Sequence, residues 1–144
     1  MEINGIFDCK LFNKGCGNNN NKRAKLDSFD SKNSGGATLS TDDNGEIEIV
    51  AIDSLDIREK IAFIKIDTEG FEKDVISGAI KTIARDKPFM MIEIAKNNLE
   101  DIIHQLSELG YKFEMYDKEN VFFYDPPKIE LIKRVVEYEN TLDM

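Results

Sequence analysis

The chain is short of basic residues, short of cysteine and without a long apolar run, and each shortage argues against a class of protein. Lys and Arg number 19 against 28 Asp and Glu, giving a net charge of −9. Nucleic-acid binding relies on clustered Lys and Arg that displace counterions from phosphates, so no such partner is expected. An anionic membrane surface is disfavoured on the same ground, and most of the acids read as solvated surface. No apolar run approaches the roughly 20 residues of a membrane span. The start, MEINGIFDCK, lacks the basic region and long apolar core of a secretory signal, so the expected compartment is the cytoplasm. Cys9 and Cys16 are the only cysteines. A reducing compartment would leave them as free thiols, and a disulfide between them is the alternative for an exported chain. With His104 as the single histidine, far along the sequence, they are too few for a structural zinc.

What remains is enough for one domain. A chain of 144 residues with a hydrophobic fraction of 41% can bury a core, and is too short for two ordinary domains. Residues 1–45 differ from the rest. The runs KGCGNNNNKRAK and DSKNSGGATLSTDDNG are rich in Asn, Gly, Ser and charge. Ile3, Ile6, Phe7, Cys9, Leu11 and Phe12 predict one strand, and the residues after it read as loop or a loose hairpin. This irregular segment precedes an α/β part spanning 46–144.

From Glu46 the patterning sharpens. Ile47, Ile49 and Ala51 alternate with Glu46, Glu48 and Val50, as in a strand with one mainly buried face. Residues 61–66 read as a strand buried on both faces, broken only by Lys65. Gly70 opens a helix over 70–85 whose apolar stripe is Phe71, Val75, Ile76, Ala79, Ile80 and Ile83, with Glu72 and Asp74 in its first turn and Pro88 as its stop. Residues 89–94 give the next buried strand. Asn97 or Asn98 can cap a second helix carrying Leu99, Ile102, Ile103 and Leu106, stopped by Gly110. Tyr111, Phe113 and Met115 predict a strand, Asp117-Lys118-Glu119-Asn120 a hairpin turn, and 121–124 the returning antiparallel strand. A closing helix is expected over 129–138. Tyr111, Phe113, Phe122 and Phe123 are expected in the core.

The order strand, helix, strand over 61–94 is one unit of an open parallel sheet. Such sheets place chemistry in the crevice beyond the carboxyl ends of their strands, where Asp67, Glu69 and Glu93 fall. Three converging carboxylates can supply a base for a proton leaving a hydroxyl. They can alternatively hold a hard divalent cation. The plainer alternative has Asp67 capping the turn while Glu69 and Glu93 are solvated. Lys65 is expected to neutralise Asp67 or Glu93 or to snorkel to an edge. Glu72 reads as a first-turn helix acid, and His104 as a solvated partner of Glu100 and Glu108.

The run Lys65-Ile66-Asp67-Thr68-Glu69-Gly70-Phe71-Glu72, with Gly78-Ala79, Lys87-Pro88 and Glu93-Ile94 at fixed spacing, resembles FkbM-type methyltransferases. The upstream Ile52-Asp53-Ser54-Leu55 is similar to an L-D-S-L found there. The resemblance covers about 42–126 and implies part of a Rossmann-like sheet ending in an antiparallel hairpin. It implies methyl transfer from S-adenosylmethionine to a hydroxyl of a sugar or small metabolite, with Asp67, Glu69 and Glu93 catalytic and Asp67 and Asp53 on the cofactor; no metal is assigned. The front departs from the family pattern. Only Gly15-Cys16-Gly17 offers a Gly-x-Gly after an apolar stretch, and no helical stripe follows it. The chain therefore reads as the C-terminal half of the domain, and S-adenosylmethionine binding by this chain alone is not expected. A non-catalytic binding module, or one half of a split enzyme, is the alternative. Two buried-type strands cannot face water at a bare edge, so either 3–12 or 46–52 pairs beside 61–66, or a second chain or second copy does.

Overall fold

The computed structural model describes residues 9–20, 22–30 and 33–130. These form two four-stranded sheets, three α-helices and a further helical run at 126–130. The first sheet contains β1 (Gly15–Cys16), β2 (Arg23–Asp30), β3 (Asn33–Thr41) and β4 (Ile47–Val50), in the order β1-β4-β2-β3. The second contains β5 (Phe63–Ile66), β6 (Phe89–Glu93), β7 (Lys112–Met115) and β8 (Asn120–Tyr124), in the order β5-β6-β8-β7. Helices α1 (Glu72–Ser77) and α2 (Ile80–Asp86) cross from β5 to β6, and α3 (Leu99–Glu108) links β6 to β7.

The second sheet agrees closely with the sequence pattern. β5 and β6 are neighbours and parallel, with Ile64 opposite Met90 and Ile66 opposite Ile92. β8 runs antiparallel to both β6 and β7, as the hairpin turn requires. Because side chains alternate across a strand, Ile66, Met90, Ile92, Val121 and Phe123 share one face. They meet Val75, Ile76 and Ile83 from the crossover helices and Ile102 and Leu106 from α3 in a single core. Each of these is almost wholly removed from water, and full burial of such a side chain stabilises by about 1.5–3 kcal/mol.

The crossover is not the single helix that the stripe over 70–85 predicts. It breaks at Gly78-Ala79 because other segments enter there. The backbone of Gly17 and Asn18 lies directly against Gly78, where a Cβ would collide with the Gly17 carbonyl. The Gly78 carbonyl in turn accepts the Asp53 amide at 2.8 Å. α2 then ends at Lys87, in the left-handed region with φ 51°, before Pro88.

Other expectations are settled or corrected. Within the stretch expected to be loop or loose hairpin, β2 and β3 form an antiparallel hairpin, with Ala24 opposite Thr41 and Leu26 opposite Leu39. Its residues are polar and glycine-rich, so they lack the apolar alternation by which strands are found. The expected strand over 3–12 lies partly outside the described residues, and residues 9–12 are not in a strand. β5 is not buried on both faces: Phe63 is 53% exposed, and only Ile66 of its four residues is fully buried. Among the described residues nothing pairs with its outer edge, because β4 pairs with β1 and β2 instead. Phe113, expected in the core, is 41% exposed on the outermost strand β7. Of the expected closing helix, residues 126–130 are helical and 131–138 lie outside the described residues.

No helix among the described residues is long and apolar enough to cross a membrane. Cys9 and Cys16 are free thiols.

The close approach at the helix break gives a direct test. Gly78→Ala should destabilise the fold by about 1–3 kcal/mol, because the neighbour to be displaced is backbone and not a flexible side chain. The expected result is a lower urea midpoint with an unchanged slope.

Candidate functional site

β5 and β6 are parallel, so their carboxyl ends emerge on the same side of the sheet. Asp67 comes directly after the last residue of β5, and Glu93 is the last residue of β6. The turn between β7 and β8 closes over the same end, where Ile94 donates its amide to the Glu119 carbonyl at 2.8 Å. A cavity of about 510 Å³ opens there, lined by Glu69, Gly70, Glu93, Ala95, Lys118 and Glu119, among others.

The structure brings together the three carboxylates singled out from the sequence. Asp67, Glu69 and Glu93 each offer one oxygen, and these oxygens lie within 4.8 Å of one another. That spacing is compatible with a shared proton, a bound cation or a positively charged ligand group. Lys65 reaches the cluster from within β5, with its ammonium 3.2 Å from Asp67 and 3.7 Å from Glu93. It bridges both acids and thereby takes up the neutralising role open to it.

One lysine does not balance three acids. The Asp67 charge pushes the Glu93 carboxyl above the usual Glu range, and partial burial and the Glu69 and Glu119 charges add to this while Lys65 opposes it. Glu93 therefore has a raised proton affinity.

The turn that carries Glu69 is unusual. Glu69 has φ 50° and Gly70 φ 109°, so two consecutive residues sit at positive φ. A non-glycine residue there is uncommon and needs support from its surroundings. Support comes from Glu72, which sequence reasoning assigned only to the helix dipole. Glu72 is 1% exposed. Its Oε1 accepts the Gly70 amide at 2.6 Å and the Thr68 hydroxyl at 3.1 Å. Its Oε2 accepts the Asn98 side-chain amide at 3.0 Å and the Ala95 amide at 3.4 Å. Asn98, expected as a helix cap, makes no cap bond and spends its side chain on Glu72 and the Gly70 carbonyl instead. One local signal for Glu72 was present in the sequence, its place four residues after Thr68; its burial depends on the loop at 94–98.

Asp53 lies elsewhere. Its two oxygens accept the amides of Lys81 at 2.9 Å and Thr82 at 2.8 Å, so it caps the start of α2 from a distant loop. It is not among the residues that line the cavity. Gly15-Cys16-Gly17 is also committed: β1 pairs parallel with β4, and the Gly17 amide is donated to the Val50 carbonyl at 3.0 Å. The segment after it leads into β2 and not into a helix, so its amides do not form the helix-opening cradle that such a motif needs. His104 stands 3.8 Å from Glu108 on the exposed face of α3, away from the cluster.

A parallel strand pair joined through helices, with acids gathered beyond its carboxyl ends, defines an α/β domain with a candidate site at the strand ends. The chain matches the family model described as the methyltransferase FkbM domain over residues 9–113, and it belongs to that family. A crystal structure of methyltransferase FkbM from Methylobacillus flagellatus KT is similar in fold, with a TM-score of 0.54 and 22% sequence identity. The match covers 80% of this chain and 28% of that one, so the chain spans under a third of that protein's length. A comparison with curated proteins finds no match.

The electrostatics give a second prediction. A carboxyl raised in the folded state binds its proton more tightly folded than unfolded. As pH climbs through the ordinary Glu range toward the raised value, the unfolded chain ionises first and the fold loses stability. Glu93→Gln should remove that loss. Asp67→Asn should bring the Glu93 titration, monitored by carbon-13 NMR of its carboxyl, down toward the ordinary range; an unmoved Glu93 would contradict the assignment to Asp67.

Proposed function

We propose that this chain forms the acceptor side of an FkbM-type methyltransferase, which moves a methyl group from S-adenosylmethionine to a hydroxyl of a sugar or other small metabolite. In this reading β5, β6 and the β7–β8 hairpin correspond to the later strands of a Rossmann-like methyltransferase sheet. The observation that carries it is the convergence of Asp67, Glu69 and Glu93 beside a cavity at the carboxyl ends of β5 and β6, in a chain of this family.

The residues fit the cofactor on one side only. Asp67 and Glu69 offer acceptor oxygens for hydroxyl or ammonium groups and negative charge beside a cationic centre. The backbone cradle is missing among the described residues, because the Gly17 amide is used within the first sheet, and Asp53 is used to cap α2. S-adenosylmethionine supplies an electrophilic methyl group when bound. Glu93 is the base in this reading: its raised proton affinity suits it to take the proton that an acceptor hydroxyl gives up. Lys65 keeps the ionised cluster from repelling itself apart. The β7–β8 turn, with Lys118 and Glu119 at the cavity rim, can orient the acceptor's polar groups.

The outer edge of β5 is where we place a partner. A second chain or a second copy pairing there would continue the sheet and cover Phe63. Sedimentation should then show self-association, or a monomer that takes up a partner through β5; a stable monomer with slow amide exchange along that edge would argue against it.

Titration of the nitrogen-15-labelled chain with S-adenosylmethionine tests the functional reading. Each lost charge-assisted hydrogen bond costs about 1.5–3 kcal/mol, so binding should be weaker than about 1 mM and turnover by the isolated chain undetectable. The NMR shifts that do appear should fall at 67–70 and 93–95, and Asp67→Ala should abolish them. Tight binding that Asp67→Ala weakens would return Gly15-Cys16-Gly17 to consideration as a cofactor turn. Tight binding untouched by Asp67→Ala would place the site elsewhere, and no shifts at any concentration would favour a non-catalytic module.

A further inference from the structure

We propose that Glu72 is the positioning residue of the carboxylate site: its buried side chain latches the turn after β5 to the turn after β6 and so sets Asp67 and Glu69 against Glu93. The inference concerns the geometry of the site described above, and its catalytic meaning rests on the methyltransferase reading.

The chemistry demands a carboxylate. Four donors converge on this one side chain: the Thr68 hydroxyl and Gly70 amide on Oε1, and the Ala95 amide and Asn98 side-chain amide on Oε2. A group with two acceptor oxygens and no donor satisfies them all. A Gln of the same shape cannot, because its NH₂ would face the Ala95 and Asn98 donors in one orientation and the Gly70 amide in the other. Glu72 lies at the first turn of α1, whose Val75 and Ile76 are anchored in the core. The latch is therefore fixed to the buried core. From there it holds two loops that belong to different strands. One loop bears Glu69 in its left-handed conformation, and the other leaves β6 directly after Glu93. Glu72 is 1% exposed and, although it lines the cavity, both of its oxygens are taken up by these neighbours, so it acts through them.

The test uses the whole chain and two variants, Glu72→Gln and Glu72→Ala, with amide hydrogen exchange and nitrogen-15 NMR as the readouts. Glu72→Gln should keep the Gly70 bond through its remaining oxygen and speed exchange at Ala95 by about tenfold or more; Glu72→Ala should do so at both Gly70 and Ala95. The Gly70 amide proton, expected far downfield in the wild type because its bond is short, should stay there in Glu72→Gln and move upfield in Glu72→Ala. Amides of Met90 and Ile92 in β6 should be unchanged in both variants. Uniformly faster exchange through β6 and the two turns together would mean that Glu72 serves global stability alone, and would overturn the proposal, as would protection at Gly70 and Ala95 surviving in Glu72→Ala. Because these readouts need no cofactor, loop-specific loosening in a chain that shows no S-adenosylmethionine shifts at the strand ends would leave the latch standing and remove only the methyltransferase reading.

Discussion

The parallel pairing of β5 with β6 is the constraint on which the rest of this molecule depends. Four residue pairs, from Phe63 with Phe89 to Ile66 with Ile92, fix the relative height of the two strands. A slip by one residue would turn every side chain to the other face. It would carry Ile66 and Ile92 out of the core and separate Asp67 from Glu93. The core and the site are thus two consequences of one register. Burial of Ile66, Met90 and Ile92 stabilises that register, and the strand ends then have no choice but to present their acids side by side.

That presentation is costly, and the structure offsets the cost from two directions. Lys65 approaches the acids from the strand itself, one position from the core-facing Ile66, and shares its charge between Asp67 and Glu93. Glu72 approaches from the first turn of α1 and binds the loops through neutral backbone and side-chain donors. The remaining repulsion is visible as the raised proton affinity of Glu93. A group held in that state costs the fold stability once it ionises, and groups so perturbed cluster at functional sites.

The first sheet is joined to this core by a different kind of contact. Its deeply buried apolar side chains among the described residues are few: Ala24, Ile49 and Val50. Its connection to the crossover helices is made mainly by polar groups. Asn18 donates to Asp74 of α1, the Asp53 amide donates to the Gly78 carbonyl, and the Asp53 carboxylate caps α2. They bring the backbone of Gly17 against Gly78, which leaves no room for a side chain there, at the point where the crossover breaks.

The sequence by itself determined the strand-helix-strand unit, the parallel sense of β5 and β6, the antiparallel hairpin after them and the convergence of Asp67, Glu69 and Glu93. Each of these is dictated by local periodicity and by the short connections that leave one way to bury the apolar stripe. It could not decide between loop and hairpin for the β2–β3 stretch, because that pairing rests on backbone bonds between polar residues with no apolar alternation. Nor could it show that Asp53 is spent on α2, that Asn98 serves Glu72 and not its own helix, or that Phe63 and Phe113 stand open. Those were decided by the tertiary structure alone. A side chain's partner across 23 to 29 residues of sequence, as for Glu72 with Ala95 or Asp53 with Thr82, is fixed by where distant loops come to rest, and no local pattern encodes it.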